Sequence, residues 1–577
     1  MKARGTSVQT DMAQRCDVGA NAPLPIPSIW TTGSTASIKT GTWRAALARH
    51  IRAPSPCHAA CPVGGEIAEW IGQARAGDYL AAWQTLTRHN PFPAIAGRIC
   101  HHPCETACNR AGHDEALSIC KLERFIGDVA LEHGWAYPAI EAHRGAHVAV
   151  VGGGPSGLSA AFQLSRLGYA VTLIEAQADL GGLMRYGIPA YRLARDVLDG
   201  EIARIVALGI DIRCGQPLAT PEAFAQLRAE YDAVYLALGA RRQKRLPELD
   251  YSRPWVFDGA RYLARTSVGV PPVLGRRIVV IGGGSAALDV ARSARRAGHE
   301  VTILALESER RMPAQREEVV EALEEGVTLA DGAMLRAVAE AGEAGLRLDC
   351  VRVRFEPGAI RGQFIVTPLE GSEFTLEADA IVSSIGQDPD LAPLAAALET
   401  DGLLLKTDVH GATSADGVWA GGDVASMARF VTEAIGMGER AALEIHRLLS
   451  RQAGLGSSVT APDPAAAEAL VGLGSINLHY HPPQARPVER RLEVSARLAD
   501  DAEVQLGLDM TRALAEAGRC FSCGLCTHCD NCITYCPDFA VQRAGEGYAV
   551  LTDYCKGCGL CVRECPSGSM KMLEELR

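Results

Sequence analysis

From Glu66 onward the apolar residues Ile67, Trp70, Ile71 and Ala74 recur at helical spacing, and Tyr79, Ala82, Trp83 and Leu86 repeat the pattern. This predicts a small helical domain over 56–143. At His147 the periodicity changes. The run HVAVVGGGPSGLSAAFQLSRLGYAVTLIEA reads as a short apolar strand, a glycine turn, an amphipathic helix and a second strand, and RIVVIGGGSAALDVARSARRAGHEVTILAL repeats these events from Arg277. Further strand-like runs lie at 232–240, 379–386 and 417–423. Two such units about 130 residues apart predict an α/β fold with two Rossmann-like dinucleotide-binding domains.

Length and charge narrow the class. The 577 residues suffice for several domains, and 57 Lys plus Arg against 68 Asp plus Glu leave a net charge of -11 without a basic block. Nucleic acid is therefore not an expected partner. No apolar run reaches the roughly 18 residues of a membrane span, and Asp11 and Asp17 interrupt the place where a secretory signal would be apolar. A soluble, cytoplasmic protein is expected. Cysteine usage is more telling: of 19 cysteines, six lie between Cys57 and Cys120 and ten between Cys520 and Cys565. Clusters of thiols at the two ends of a chain without an export signal point to metal ligation rather than to disulfides. Cys16, Cys214 and Cys350 are read as isolated thiols.

The glycines of the first turn are Gly152, Gly154 and Gly157, with Ser156 opening the helix. Glycine is needed where the turn is tight, where the backbone approaches a pyrophosphate and where the helix packs on the sheet. Glu175 ends the second strand 23 residues after Gly152, placed to accept from a ribose. The second turn carries Gly282, Gly284, Ser285 and Ala287. One tightly held flavin and one exchangeable nicotinamide are the expected pair, because a flavin converts a hydride into the single electrons that iron-sulfur clusters take.

At the C-terminus, Cys526, Cys529, Cys532 and Cys536 are spaced CxxCxxCxxxCP, and Cys555, Cys558, Cys561 and Cys565 repeat that spacing. In the two-cluster ferredoxin pattern the distant fourth cysteine serves the other cubane. The expected sets are Cys526, Cys529, Cys532 and Cys565 for one 4Fe-4S cluster, and Cys555, Cys558, Cys561 and Cys536 for the second. Zinc also accepts four thiolates, but two full copies, each followed by Pro537 or Pro566, favour clusters. Cys520 and Cys523 have no place in those sets. A dithiol, an alternative ligand set and an inert pair stay open, with the inert or structural reading preferred.

The stretch from about 57 to 447 resembles the FAD-containing NADPH-oxidising family that includes the glutamate synthase small subunit and the N-terminal half of dihydropyrimidine dehydrogenase. The matching motifs are VVGGGPSGLSAA, GGLMRYGIPAYRL at 181–193, GGGSAALD at 282–289, RRMPA at 310–314, IGQDPD at 385–390 and GVWAGGDV at 417–424. The resemblance implies that the first turn holds FAD. It further implies that Gly182, Leu183 and the Gly187-Ile188-Pro189 segment lie beside the flavin and that Asp423 binds its ribityl or pyrophosphate part. Family members that prefer NADPH carry two arginines where alignment on Met312 and Pro313 places Leu306 and Glu307. A carboxylate repels a 2'-phosphate and accepts from a 2'-hydroxyl. NAD(H) is therefore expected over NADP(H), with Arg310 and Arg311 close enough to reverse the choice.

The same family holds two N-terminal 4Fe-4S clusters through a CxxCxxxxCxxxCP run, three later cysteines and a Gln or Glu. Here the first two positions are Arg49 and Arg52. The resemblance implies one N-terminal cluster, held by Cys61, Cys100, Cys104 and Glu123, with Cys57, Cys108 and Cys120 as rival ligands. His101 and His102 within the run keep a zinc reading in play. The expected division is a peripheral arm over 1–55, a helical iron-sulfur domain over 56–143, an FAD-binding domain over 144–270 and 380–450, an NAD(P)-binding domain over 271–379, a linker and helix over 451–515 and a ferredoxin-like domain over 516–577.

The leading expectation is an electron-transfer oxidoreductase subunit that works within a complex. NAD(H) exchanges a hydride with FAD, and single electrons pass between FAD, the clusters and a partner. No acid, base or nucleophile is needed for the hydride step. Chains with a similar cysteine-rich tail, marked here by CDNC and CPD, accompany thiamine-diphosphate 2-oxoacid oxidoreductases, which points to such a CoA-acylating partner. A glutamate synthase small subunit is the runner-up. A thiol-disulfide reductase using Cys520 and Cys523 and a non-catalytic cluster scaffold are the alternatives from other classes.

Overall fold

Two five-stranded parallel sheets carry the centre of the chain. A computed structural model describes residues 39–140, 143–342, 345–358, 363–454 and 470–575. Most of the expected N-terminal arm, with Cys16, and residues 455–469 of the expected linker lie outside them. Among the described residues no helix is long and apolar enough to cross a membrane. The chain divides into two contact units, one formed by Ala53–Leu525 and the other by the segments ending at Arg52 and starting at Cys526.

In the larger unit the first sheet runs Val418–Ala420, Ala233–Leu236, His147–Val151, Ala170–Ile174, Asp211–Arg213. Its three central strands are buried on both faces, as their continuous apolar runs require. The order turns outward in both directions from His147–Val151, so the topological switch point lies at Gly152. The second sheet repeats this, in the order Thr328–Ala330, Glu300–Leu304, Arg277–Ile281, Ala380–Ser383, Val256–Asp258, with its switch at Gly282. The last two strands fall in the ranges 144–270 and 380–450 expected for the first domain, yet they are hydrogen-bonded to the second sheet. A three-stranded antiparallel sheet, Ala333–Glu340, Leu346–Pro357 and Phe364–Ala378, packs its Leu335, Leu348 and Cys350 against that sheet.

The helical domain precedes them. Ile67–Arg75 and Tyr79–Leu86 bury the periodic residues Ile67, Trp70, Ile71, Ala74, Ala82, Trp83 and Leu86. Helices Pro93–Ile99 and Ile119–Glu132 cross backbone to backbone: a Cβ on Gly97 would lie 2.2 Å from the Arg124 nitrogen, and one on Gly127 2.2 Å from the Ala94 nitrogen. This close crossing sets Cys100, at the end of one helix, beside Glu123 on the other.

The smaller unit contains two short helices, Asn531–Thr534 and Leu560–Arg563, a hairpin of Val541–Ala544 with Gly547–Val550, and the antiparallel pair Ala46–His50 with Met570–Glu574. Residues 46–50, expected in a peripheral arm, are thus a strand of the ferredoxin-like unit. Conversely, helix Met510–Gly518, Cys520 and Cys523 belong to the larger unit.

Candidate functional site

The first glycine turn is built by close backbone approaches. Gly152 has φ 115°, and a Cβ on Gly157 would stand 1.9 Å from the Gly152 carbonyl oxygen. The amide of Gly153 donates to Glu175 Oε2 at 2.6 Å and that of Gln177 to Oε1 at 2.7 Å, so the carboxylate is fixed at the strand end. Gly182, with φ 53°, folds onto the turn: a Cβ there would lie 2.8 Å from the Gly154 Cα. Leu183 begins the short helix Leu183–Tyr186 and is 44% exposed, and Gly187 closes that helix. Ser156 Oγ hydrogen-bonds the Tyr235 hydroxyl at 2.6 Å, and Gly422 packs against the Ser156 side chain. Asp423 pairs with Arg429 at 3.5 Å. A buried strand end, a helix N-terminus, glycines opposite it and a held acid fit a dinucleotide.

The second turn repeats the first. Gly282 has φ 140°, Gly284 has no heavy atom within 4 Å of where its Cβ would be, Ser285 opens helix Ser285–Arg296 and Ala287 is buried beneath it. The position equivalent to Glu175 is Ala305. Glu307 fills the space, with Oε2 2.6 Å from the place of a Gly283 Cβ. Burial raises its carboxyl above the ordinary carboxylate range. Arg310 and Arg311 are exposed beside it.

Cys61, Cys100, Cys104 and Glu123 converge in the helical domain. Burial pushes Cys100 up to about 12, and the Glu123 carboxyl raises all three thiols further. Burial also pushes Glu123 up to about 7, against the Asn90 amide that donates to it at 2.7 Å. Three buried thiols gathered with a carboxyl are the donor chemistry of a cluster site, where a bound cation would favour the thiolate form. Cys120 is turned away, its Sγ 3.4 Å from the Gly97 carbonyl oxygen. Cys57 and Cys108 line a different cavity with Cys520 and Cys523. The His101 ring lies tilted against that of Phe430 with centroids 4.2 Å apart, and the His102 amide donates to Cys100 Sγ at 3.2 Å.

In the smaller unit, Cys536, Cys555, Cys558 and Cys561 line one cavity. Cys526 lies within the electrostatic reach of Cys565 and Cys529, and Cys532 within that of all three. Cys536 thus lies with Cys555, Cys558 and Cys561, and Cys565 lies near Cys526 and Cys532. Amides of His528, Ala540 and Ser569 donate to Cys526, Cys536 and Cys565 at 3.5, 3.2 and 3.2 Å. Among the described residues, no three or more His, Cys, Asp or Glu side chains close on a single metal ion. A cubane holds its thiolates farther apart than an ion does.

Sequence reasoning missed the residues that hold these sites in place. Glu201, fully buried, accepts from the Ala94 and Ile95 amides at 3.1 Å and so anchors the helix that delivers Cys100. Glu503 accepts from Arg98 at 2.6 Å and from Arg124 at 2.9 Å, tying the expected linker to the helical domain.

Two Rossmann turns together with thiol sets of cubane type define a nicotinamide- and flavin-linked iron-sulfur oxidoreductase. Residues 146–438 match the pyridine nucleotide-disulphide oxidoreductase family, 48–135 match dihydropyrimidine dehydrogenase domain II with its 4Fe-4S cluster, and 548–571 match the 4Fe-4S binding domain. The chain belongs to the pyridine nucleotide-disulphide oxidoreductase family and is an electron-transfer oxidoreductase subunit. It is 34% identical over 503 residues to the NADP(+)-dependent formate dehydrogenase subunit beta of Moorella thermoacetica, covering 81% of this chain and 70% of that one. It is 33% identical over 441 residues to the glutamate synthase [NADPH] small chain of Mycobacterium tuberculosis, covering 70% and 87%. Identity to the NAD-dependent dihydropyrimidine dehydrogenase subunit PreT of Salmonella typhimurium is 31% over 406 residues, covering 68% and 91%.

Proposed function

We propose that the chain exchanges a hydride between NAD(H) and FAD and passes single electrons between FAD, 4Fe-4S clusters and a partner subunit. One observation carries this reading. Helix Val431–Gln452 lies under both the first glycine turn and the Cys61 loop: a Cβ on Gly438 would stand 2.2 Å from the Ser156 carbonyl oxygen, and one on Gly436 2.1 Å from that of Pro62. The start of the same helix brings Thr432 Oγ1 to 3.6 Å from Cys100 Sγ. The flavin turn and the first thiol set therefore share one rigid support.

Bound here, nicotinamide, flavin and cubanes supply hydride transfer, its division into single electrons and their relay. The chain supplies placement. Gly152, Gly154, Ser156 and Gly157 admit the FAD pyrophosphate to the helix N-terminus, and Glu175 accepts from its ribose. Gly182, Leu183 and Gly187 lie along the isoalloxazine, with Asp423 on the ribityl or pyrophosphate part. Gly282, Gly284, Ser285 and Ala287 take the nicotinamide dinucleotide. Cys61, Cys100, Cys104 and Glu123 hold one cluster, and the two crossed sets of the smaller unit hold two more.

Glu307 makes NAD(H) the preferred nucleotide. The relatives' names include both NAD and NADP, so the choice rests on this residue. An NADH-to-dye assay is expected to run faster than its NADPH counterpart, and Glu307→Arg is expected to shift the kcat/KM ratio toward NADPH by about 10- to 100-fold. Faster turnover of the unaltered protein with NADPH would overturn the assignment. The partner we propose is a thiamine-diphosphate 2-oxoacid oxidoreductase that acylates coenzyme A. Support comes from the resemblance of the CDNC and CPD tail and from the relatives being named as subunits. Isolation of the native complex with such a chain supports it, and a formate-oxidising or glutamate-forming large chain in its place refutes it.

A further inference from the structure

Four cysteines from three distant stretches meet around one hollow of the larger unit. Cys57 lies in helix Pro56–Ala60, Cys108 caps the 3-10 helix Asn109–Gly112, and Cys520 and Cys523 follow helix Met510–Gly518. Apolar Ile67, Ile71 and Leu117 complete the wall of the cavity they line. No residue of either dinucleotide-binding sheet borders it. All four thiols are free of disulfides.

We propose that Cys57, Cys108, Cys520 and Cys523 hold a further 4Fe-4S cluster, beyond the three of the reading above. The site stands independently of the nucleotide and partner assigned there. It departs from the expectation of one N-terminal cluster and of an inert Cys520–Cys523 pair.

The first support is backbone geometry. The residue two after Cys100, His102, has φ 37° and donates its amide to the sulfur at 3.2 Å, and His528 does the same for Cys526 with φ 54° and 3.5 Å. Ser522 repeats the turn for Cys520 with φ 52° and 3.4 Å. Left-handed backbone is unfavourable for a residue with a Cβ. Yet among the described residues five of the six non-glycine positions with positive φ, His102, Ser522, His528, Asp530 and Phe539, lie within three residues after a cysteine. The Cys520 turn is thus made in the same form as the turns of the assigned ligands. Asn109 adds a second donor, its Nδ2 3.4 Å from Cys523 Sγ.

The second support is what fastens the Cys520 turn. Arg519, 1% exposed, pairs with Glu516 at 2.9 Å and with Asp114 at 3.2 Å, while Arg110 pairs with Asp114 at 2.7 Å and donates to the Arg519 carbonyl. Glu516 also accepts from the Ser118 amide at 2.6 Å. Two cations and two anions buried together are a costly way to hold a loop with no duty, because each charge is stripped of water. On the other flank, Gly524 has φ 74° and would place a Cβ 2.0 Å from the Ala53 carbonyl oxygen. The Cys520–Cys523 turn is therefore fixed at one end against the segment that follows Cys108 and at the other against the segment that leads to Cys57.

A catalytic dithiol needs a thiolate at neutral pH. Burial pushes Cys520 up to about 11 and Cys523 up to about 12, and the neighbouring thiols add to both rises. A cluster bound there would supply one further carrier that takes up and gives up one electron at a time.

Chemical analysis of the full chain, purified without air, tests the site. About sixteen iron and sixteen sulfide per chain are expected, four for each of four cubanes. The C520A/C523A variant is expected to lose about four of each while keeping its flavin, and C214A is expected to lose none. Alkylation mapped by mass spectrometry covers the case of a misfolded variant: in the unaltered protein Cys57, Cys108, Cys520 and Cys523 should resist labelling until iron is chelated. About twelve iron per chain with these four cysteines open to alkylation would overturn the proposal. So would one zinc in their midst or a Cys520–Cys523 disulfide.

Discussion

Gly157→Val is expected to leave a protein with almost no flavin. Even a single added carbon stands 1.9 Å from the Gly152 carbonyl oxygen, inside any allowed contact, and the obstacle is backbone that cannot swing aside. The helix Pro155–Arg166 must lift off the turn, which removes its N-terminal amides from the pyrophosphate position. Retained FAD, read from absorbance and from release on denaturation, should fall at least about tenfold, the equivalent of roughly 1.4 kcal/mol. Iron in the variant should stay near its normal content, because Gly157 touches none of the thiol sets. A yellow variant with full FAD would remove the first turn from the flavin site.

Cys61→Ser is expected to separate the flavin from the clusters. The Cys61-Pro62 loop abuts helix Val431–Gln452, where the Arg440 guanidinium donates to the Pro62 carbonyl at 3.2 Å. Losing this thiol removes the set that shares this helix with the flavin turn while leaving the turn intact. Nicotinamide-to-dye activity should persist at the flavin, whereas nicotinamide-driven reduction of the remaining clusters, followed by freeze-quench EPR, should slow on the order of 100-fold or more. Unchanged cluster reduction in the variant would show that electrons leave the flavin by another route.

Much of this architecture is visible in the residue pattern because it depends on local periodicity. Ile67, Trp70 and Ile71 announce a buried helix face, and the two GGG turns announce strand-to-helix junctions, since each signal needs only a few neighbouring residues. The crossed ferredoxin cysteines are legible for the same reason. What escaped depends on contacts between remote segments. Strands Val256–Asp258 and Ala380–Ser383 look like extensions of the first domain until their hydrogen bonds place them in the second sheet. Glu503 sits in a stretch with linker composition, and only Arg98 and Arg124 in the fold reveal it as a tether. The Cys520–Cys523 pair reads as surplus because its two companions are about 410 and 460 residues earlier in the chain. No local pattern encodes the Arg110, Asp114, Glu516 and Arg519 network that joins them.

The central claim is that one polypeptide converts hydride pairs into single electrons. Anaerobic titration of the full chain with NADH, followed by visible absorbance and EPR, tests it most directly. The account predicts that the flavin bands bleach and that the protein takes up more than two electrons per chain, with signals of reduced 4Fe-4S clusters appearing as it does so. Uptake that stops at two electrons, with no iron-sulfur signal at any point of the titration, would contradict it.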